Sequence, residues 1–197
     1  LSMIIMSLGM LLFNSILGTS NAVAAYQTAG RIEHLFFLPI ISIATSLVTL
    51  VGMFYGANRM DLVIKILKYG IISNILIACI FSIFFYFFSK NIIPYFSNDM
   101  QIIELSILYF KIMAFAYPFI AIGMTTSRAM QGLGYPNPML FLTLLRVVLI
   151  SASVAWFLVI VMKKPIYFAW VGTLISCIIT AFASILWLNH IIKKLNK

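Results

Sequence analysis

Residues 22–61 read "AVAAYQTAGRIEHLFFLPIISIATSLVTLVGMFYGANRMD". From Ala22 to Tyr55 the run is apolar enough for one helix. At ~1.5 Å per residue that helix is about 50 Å long, against a bilayer core of ~30 Å. It must tilt, overhang the membrane or bend, and Pro39 is the natural place for a bend because it donates no backbone N–H. The stretch closes on "YGANRMD", a loop with a glycine and paired charges. A chain built from such segments is expected to be all-α and polytopic in a membrane.

The rest of the sequence agrees. Of 197 residues, 63% are hydrophobic and 9% charged. A soluble domain has roughly 25% charged residues, so there is too little polar surface here to cover a water-soluble globule. The formal net charge of +9 would suggest nucleic acid in a soluble protein. Here the basic residues fall mainly at the ends of apolar runs, as the positive-inside bias requires, and no aromatic-basic nucleic-acid surface is visible. Cys79 and Cys177 lie within apolar runs and are too few for a disulfide framework or a metal site. The chain begins at Leu1 inside an apolar run, with no basic n-region. No signal peptide is visible, and missing upstream sequence is expected.

Six helices are predicted, at about 2–17, 22–55, 62–88, 100–130, 139–162 and 166–188. They are expected to pack as one bundle, because irregular backbone cannot face lipid. The first ends at "LGTSN". The fourth contains Pro118 and ends at "GLGYPNP", where Gly132, Gly134, Pro136 and Pro138 stop it and turn the chain. Gly52 and Gly56 have GxxxG spacing, which reads as helix packing plus a helix stop. With six spans, Arg59, Lys65, Lys68, Arg128, Lys193, Lys194 and Lys197 fall on one side, and Lys90, Lys163 and Lys164 on the other. This bias places both termini in the cytoplasm of a cell membrane.

Charge at the bilayer centre costs about 2.5–3.5 kcal/mol even on lenient scales, so polar residues at depth need a reason. Glu33 lies about 16 Å along the second helix, near the midplane, whereas Asp61, Asp99 and Glu104 lie at or near helix ends. A carboxylate there can bind Na⁺ with carbonyl help, carry a proton, or form a structural ion pair. Arg31 is a poor partner for it, since i and i+2 point apart. Gln27, Arg31 and His34 share one face and are expected to look into the bundle or a water-filled cavity. Lys111 and Arg146 are long enough to snorkel, and Arg146 is expected to reach the cytoplasmic face. Asn14, Asn74 and Tyr117 read as glue between helices. No Ser-His-Asp set, phosphate-binding glycine loop or His/Cys metal spacing appears, so no enzyme and no cofactor is expected.

These residues resemble the multidrug and toxin extrusion (MATE) transporters. The family pattern has an "A-x-A-A-Y" helix start, an "R/K-I-E" step, a later Pro and a "V-G-Q-x-x-G-A" close. This chain supplies Ala22, Ala24, Ala25 and Tyr26, then Arg31, Ile32 and Glu33, then Pro39, then Val51, Gly52, Gly56 and Ala57. "YFSND" is similar to the family's "F-x-x-D". "SRAMQGLGYPNPMLFLTLLRVVL" is similar to its "R-G-x-G-x-x-x-P" loop, followed by an arginine, here Arg146. Met53 replaces the glutamine of "V-G-Q", and Gln131 replaces the loop arginine. "FAYPFIAIGMTTS" lacks an acid that some branches carry there, so no two-acid cation site is carried over.

The resemblance covers nearly the whole chain and implies the C-terminal six-helix half of a twelve-helix protein. That protein is built of two lobes related by an axis along the membrane normal. It further implies an antiporter driven by Na⁺ or H⁺ that exports drugs or organic cations by alternating access. Its partners would be a small amphipathic or cationic solute, the lipid bilayer, and an N-terminal half or a second copy, with no nucleic acid. Glu33 is then the candidate ion or proton site. Tyr26, Gln27, Arg31, His34, Phe36 and Tyr117 are candidates for the cavity. Two other readings stay open: a flippase for a lipid-linked sugar or peptidoglycan precursor, favoured if Arg31 and Lys111 converge in a cavity, and an inactive fragment or membrane scaffold.

Overall fold

A computed structural model describes residues 2–18 and 20–195. Leu1, Thr19 of the "LGTSN" turn, and Lys197 of the cytoplasmic charge count lie outside the described residues. The helices are α1 (Ser2–Leu17), α2 (Ser20–Gly56), α3 (Met60–Ile92), α4 (Met100–Met113), α5 (Tyr117–Gly132), α6 (Asn137–Val161) and α7 (Phe168–Leu195). Of these, α2, α3, α6 and α7 are each long and apolar enough to cross a membrane, and α4 with α5 makes one further, bent span. Together with the short apolar α1, this is a six-segment bundle.

Two sequence expectations change in the fold. The fourth segment is not one helix: α4 and α5 meet at 60° across Ala114–Ala116. Pro118 lies in the first turn of α5, where its missing N–H costs nothing, but it could not continue α4. The side chain of Ser82 on α3 donates to the Ala114 carbonyl freed at this break. By contrast, α2 runs through Pro39 without interruption, and Pro39 is exposed on its outer side.

α5 lies at the centre, packed against α2, α3 and α7, and small side chains allow this. The backbones of α2 and α5 meet where the end of α5 crosses α2. A Cβ on Gly132 would lie 2.7 Å from the Val48 carbonyl oxygen, and one on Gly52 would lie 3.3 Å from the Gly132 carbonyl oxygen. Gly56 has open space around it and instead ends α2. So the GxxxG pair divides into one packing glycine and one stop. Asn74, fully buried on α3, ties three helices by donating to the Ile40 carbonyl at 3.3 Å and to Thr125 Oγ1 at 2.7 Å. The Oδ1 atoms of Asn14 and Asn74 are both buried without a hydrogen-bond partner among the described residues.

One end of the bundle is closed by Val51, Val63, Leu67, Met130, Leu133, Leu142, Leu188 and Ile191. This cluster gathers the "GANRMD" loop, the "GLGYPNP" turn and the end of α7 on one side, as alternation of six spans requires. In the turn itself, Gly134 adopts φ +88°, a left-handed conformation that an L side chain rarely takes. Pro136 caps α6 and Pro138 occupies its first turn.

α6 departs from regular helix. Leu145–Ala152 and Phe157–Val161 are π-helical. Such widened turns shift the register of every residue that follows and recur at functional sites. Here the widening begins beside Arg146. Ser176 of α7 donates to the Arg146 carbonyl at 2.6 Å, which ties the wide turn to its neighbour. Gly9 of α1 lies so close to Val147 that a methyl there would collide with it.

Candidate functional site

Glu33 projects from α2 towards the α4–α5 break. Tyr117 Oη donates to Glu33 Oε1 at 2.6 Å, and Tyr109 Oη donates to Oε2 at 3.1 Å. The two tyrosines come from opposite sides of the break. The bend therefore lets one carboxylate collect both hydroxyls. Tyr109 and Tyr117 are themselves buried and rigidly held. Tyr109 packs edge-on against Tyr26 and Trp170, and Tyr117 against Phe37 and Phe85.

No basic residue lies within ion-pair distance of Glu33 among the described residues. The one ion pair among them is Arg59–Asp61 at 2.9 Å, on the surface. In place of a structural ion pair, Glu33 thus has two neutral donors.

Two cavities open at this carboxylate. One, of about 380 Å³, is lined by Tyr26, Tyr109, Met113, Arg146, Ser151, Thr173 and Cys177 along with residues of α1. The other, of about 520 Å³, is lined by His34, Phe37, Phe119, Met124, Arg128, Thr143, Arg146 and Ser184, among others. Glu33 and Arg146 border both.

The sequence candidates divide accordingly. Glu33, Tyr26 and His34 line a cavity, and Tyr117 holds Glu33 from behind. Phe36 does not face a cavity but packs among Phe81, Phe84 and Phe85. Arg31 is exposed, Gln27 is half-buried, and neither lines either of these two cavities. Gln27 and Arg31 turn away from the bundle core because Ala25, Ala29 and Ile32 fill the opposite side of α2, whereas His34 borders the larger cavity. Arg146 borders both cavities, from the widened turn of α6. Lys111 lines neither cavity, so Arg31 and Lys111 do not converge in one. Tyr109 is a site residue that sequence reasoning does not find. The signal available is two tyrosines eight residues apart, with Pro118 directly after the second.

A family model described as MatE matches residues 1–157. The chain belongs to the MatE family. A probable multidrug resistance protein NorM of Thermotoga maritima is 28% identical over 185 residues, covering 93% of this chain and 40% of the relative. Another NorM, of Oceanobacillus iheyensis, is 26% identical and covers 89% of this chain and 39% of the relative. The chain thus spans about two fifths of the length of these MatE relatives. Among solved structures, a MOP superfamily transporter from Pyrococcus furiosus superposes with TM-score 0.95 at 25% identity, over 100% of this chain and 45% of the other. An outward-facing multidrug resistance MATE transporter superposes with TM-score 0.90, and an inward-facing one with 0.92. The MatE lobe described here is therefore a multi-pass membrane fold.

Proposed function

We propose that this MatE chain is one lobe of a secondary-active transporter, with Glu33 as the group that takes the coupling Na⁺ or proton. The observation that carries this reading is a lone carboxylate at membrane depth, held by two tyrosine hydroxyls and open to two cavities. A carboxylate left without a protein cation has a negative charge for an ion to neutralise. The tyrosine oxygens can join it in ligating Na⁺, or continue to hydrogen-bond the protonated acid. Both hydroxyls belong to arms of the bent α4–α5 span, so occupancy at Glu33 bears on the angle between them. Such a link is what exchange of an ion for a solute requires: a ligand shifts a conformational equilibrium only through differential contacts with its states.

The solute is a small amphipathic molecule. The names of the relatives, probable multidrug resistance proteins, support a drug. The cleft is completed by a further six-helix half or by a second copy. The protein resides in the cell membrane, with the "GANRMD" and "GLGYPNP" loops on the cytoplasmic side.

Glu33→Gln in the full-length protein tests the coupling role. Uptake of a fluorescent amphipathic drug into inverted vesicles is followed under an imposed Na⁺ or H⁺ gradient. Gradient-driven uptake is expected to vanish while expression and thermal stability persist. Equal uptake by variant and parent would remove Glu33 from the mechanism. Uptake by neither would favour the scaffold reading.

A further inference from the structure

We infer that the larger cavity is an anion-selective subsite, built to hold the carboxylate or phosphate of an amphipathic solute against Arg146 and Arg128. The inference rests on the transporter reading above and specifies the solute class of the same cleft.

Acids are scarce in this chain: it has four acidic side chains. Asp61 is paired with Arg59 at the surface, Asp99 caps α4 by accepting from the Gln101 N–H, and Glu104 is exposed. Glu33 is thus the one acid in the cavity, and its oxygens are engaged by Tyr117 and Tyr109. Arg128 and Arg146 both face the cavity, and neither has a carboxylate within ion-pair distance among the described residues. Arg128 has a weak neutral partner, the Gln131 side chain at 3.3 Å.

Arg146 lies inside the apolar span α6, where a guanidinium is costly without a counter-charge, and a planar five-donor fork is the side chain best matched to carboxylate or phosphate. The cavity carries two fixed positive charges against one negative. When a proton or Na⁺ occupies Glu33, nothing opposes the two. An organic cation entering there would meet the arginines unshielded, whereas an anion would supply what they lack. The lining is mixed. Thr143, Ser127 and Ser184 accompany the arginines, while Phe37, Phe119 and Met124 are apolar. A volume of about 520 Å³ falls in the usual range for small-molecule sites.

The test uses two dyes with the same xanthene body and opposite charge: fluorescein, anionic above neutral pH, and tetramethylrosamine, cationic. Binding to the purified full-length protein in phosphatidylcholine nanodiscs is read by fluorescence anisotropy. Fluorescein is expected to bind at least about tenfold more tightly than tetramethylrosamine. Arg146→Ala and Arg128→Ala should each weaken fluorescein about tenfold, and Arg146→Lys, which keeps the charge but loses the fork, by less. Glu33→Gln removes the opposing charge and should tighten fluorescein binding, even though it abolishes coupled uptake. The two proposals can therefore fail separately. Competition by added phosphatidylglycerol would assign the anion to a lipid headgroup, and its absence to a soluble amphipath. Equal or tighter binding of tetramethylrosamine, or unchanged fluorescein binding in both arginine-to-alanine variants, would overturn the inference. Arg128→Ala, close to the cytoplasmic end of α5, serves as the second variant if Arg146→Ala fails to fold.

Discussion

Glu33 shows how one residue acquires a role from its surroundings. The carboxylate meets two hydroxyls of unequal closeness, 2.6 Å from Tyr117 and 3.1 Å from Tyr109. Hydrogen bonds to a charged group are worth roughly 1.5–3 kcal/mol, and the shorter one should carry more of that. Tyr117→Phe keeps the ring against Phe37 and Phe85 and removes only the hydroxyl. It is expected to shift the Na⁺ or proton concentration for half-maximal flux about tenfold, and Tyr109→Phe by less. Ion-titrated flux in vesicles measures both. A larger effect from Tyr109 would mean that hydroxyl distance does not rank the contributions. Glu33 itself is legible in the sequence, because a carboxylate deep inside an apolar helix is too costly to be there without a partner or a ligand. Its partners are not, because a tyrosine in a chain that is 15% aromatic carries no signal until a bend brings it to the carboxylate.

Among the helices, backbone contact between α2 and α5 is the tightest constraint. Gly132→Ala would place a methyl 2.7 Å from the Val48 carbonyl oxygen, which belongs to rigid helix backbone. The expected cost is about 1–3 kcal/mol, seen as a lower melting temperature of the purified protein. Gly56→Ala has open space around the new methyl and should leave the melting temperature close to that of the parent. Equal effects from the two would show that α2 and α5 yield more than their packing implies. The spacing of Gly52 and Gly56 is visible in the sequence, but the division of labour between them is not, since it depends on where α5 crosses. The widened turns of α6 are also hidden. Hydrophobic periodicity cannot distinguish i+4 from i+5 bonding in an apolar run.

For the whole molecule, the distribution of basic residues makes an orientation testable. Single cysteines at Asn58 and Tyr135, in a background with Cys79 and Cys177 replaced, should react with a membrane-impermeant thiol reagent in inverted vesicles and not in right-side-out ones. A cysteine at Lys163 should do the reverse. The opposite labelling pattern would invert the proposed topology, although the packing would be unchanged. The two loops and the end of α7 share one apolar cluster, so these sites report on one face.

The sequence by itself determined that this is an all-α membrane bundle of the MatE type, because composition, span length and ordered short motifs are local properties of the chain. It also singled out Glu33, since the cost of burying charge can be read from position along a span. Only the tertiary structure decided what surrounds that charge. The 60° break before Pro118 brings Tyr109 and Tyr117 together on one carboxylate. Arg146 of α6 borders the same space, and packing of Ala25, Ala29 and Ile32 turns Arg31 out of it. Each is a matter of helix direction and rotation. These are set by contacts between segments far apart in the chain, and no local pattern encodes them.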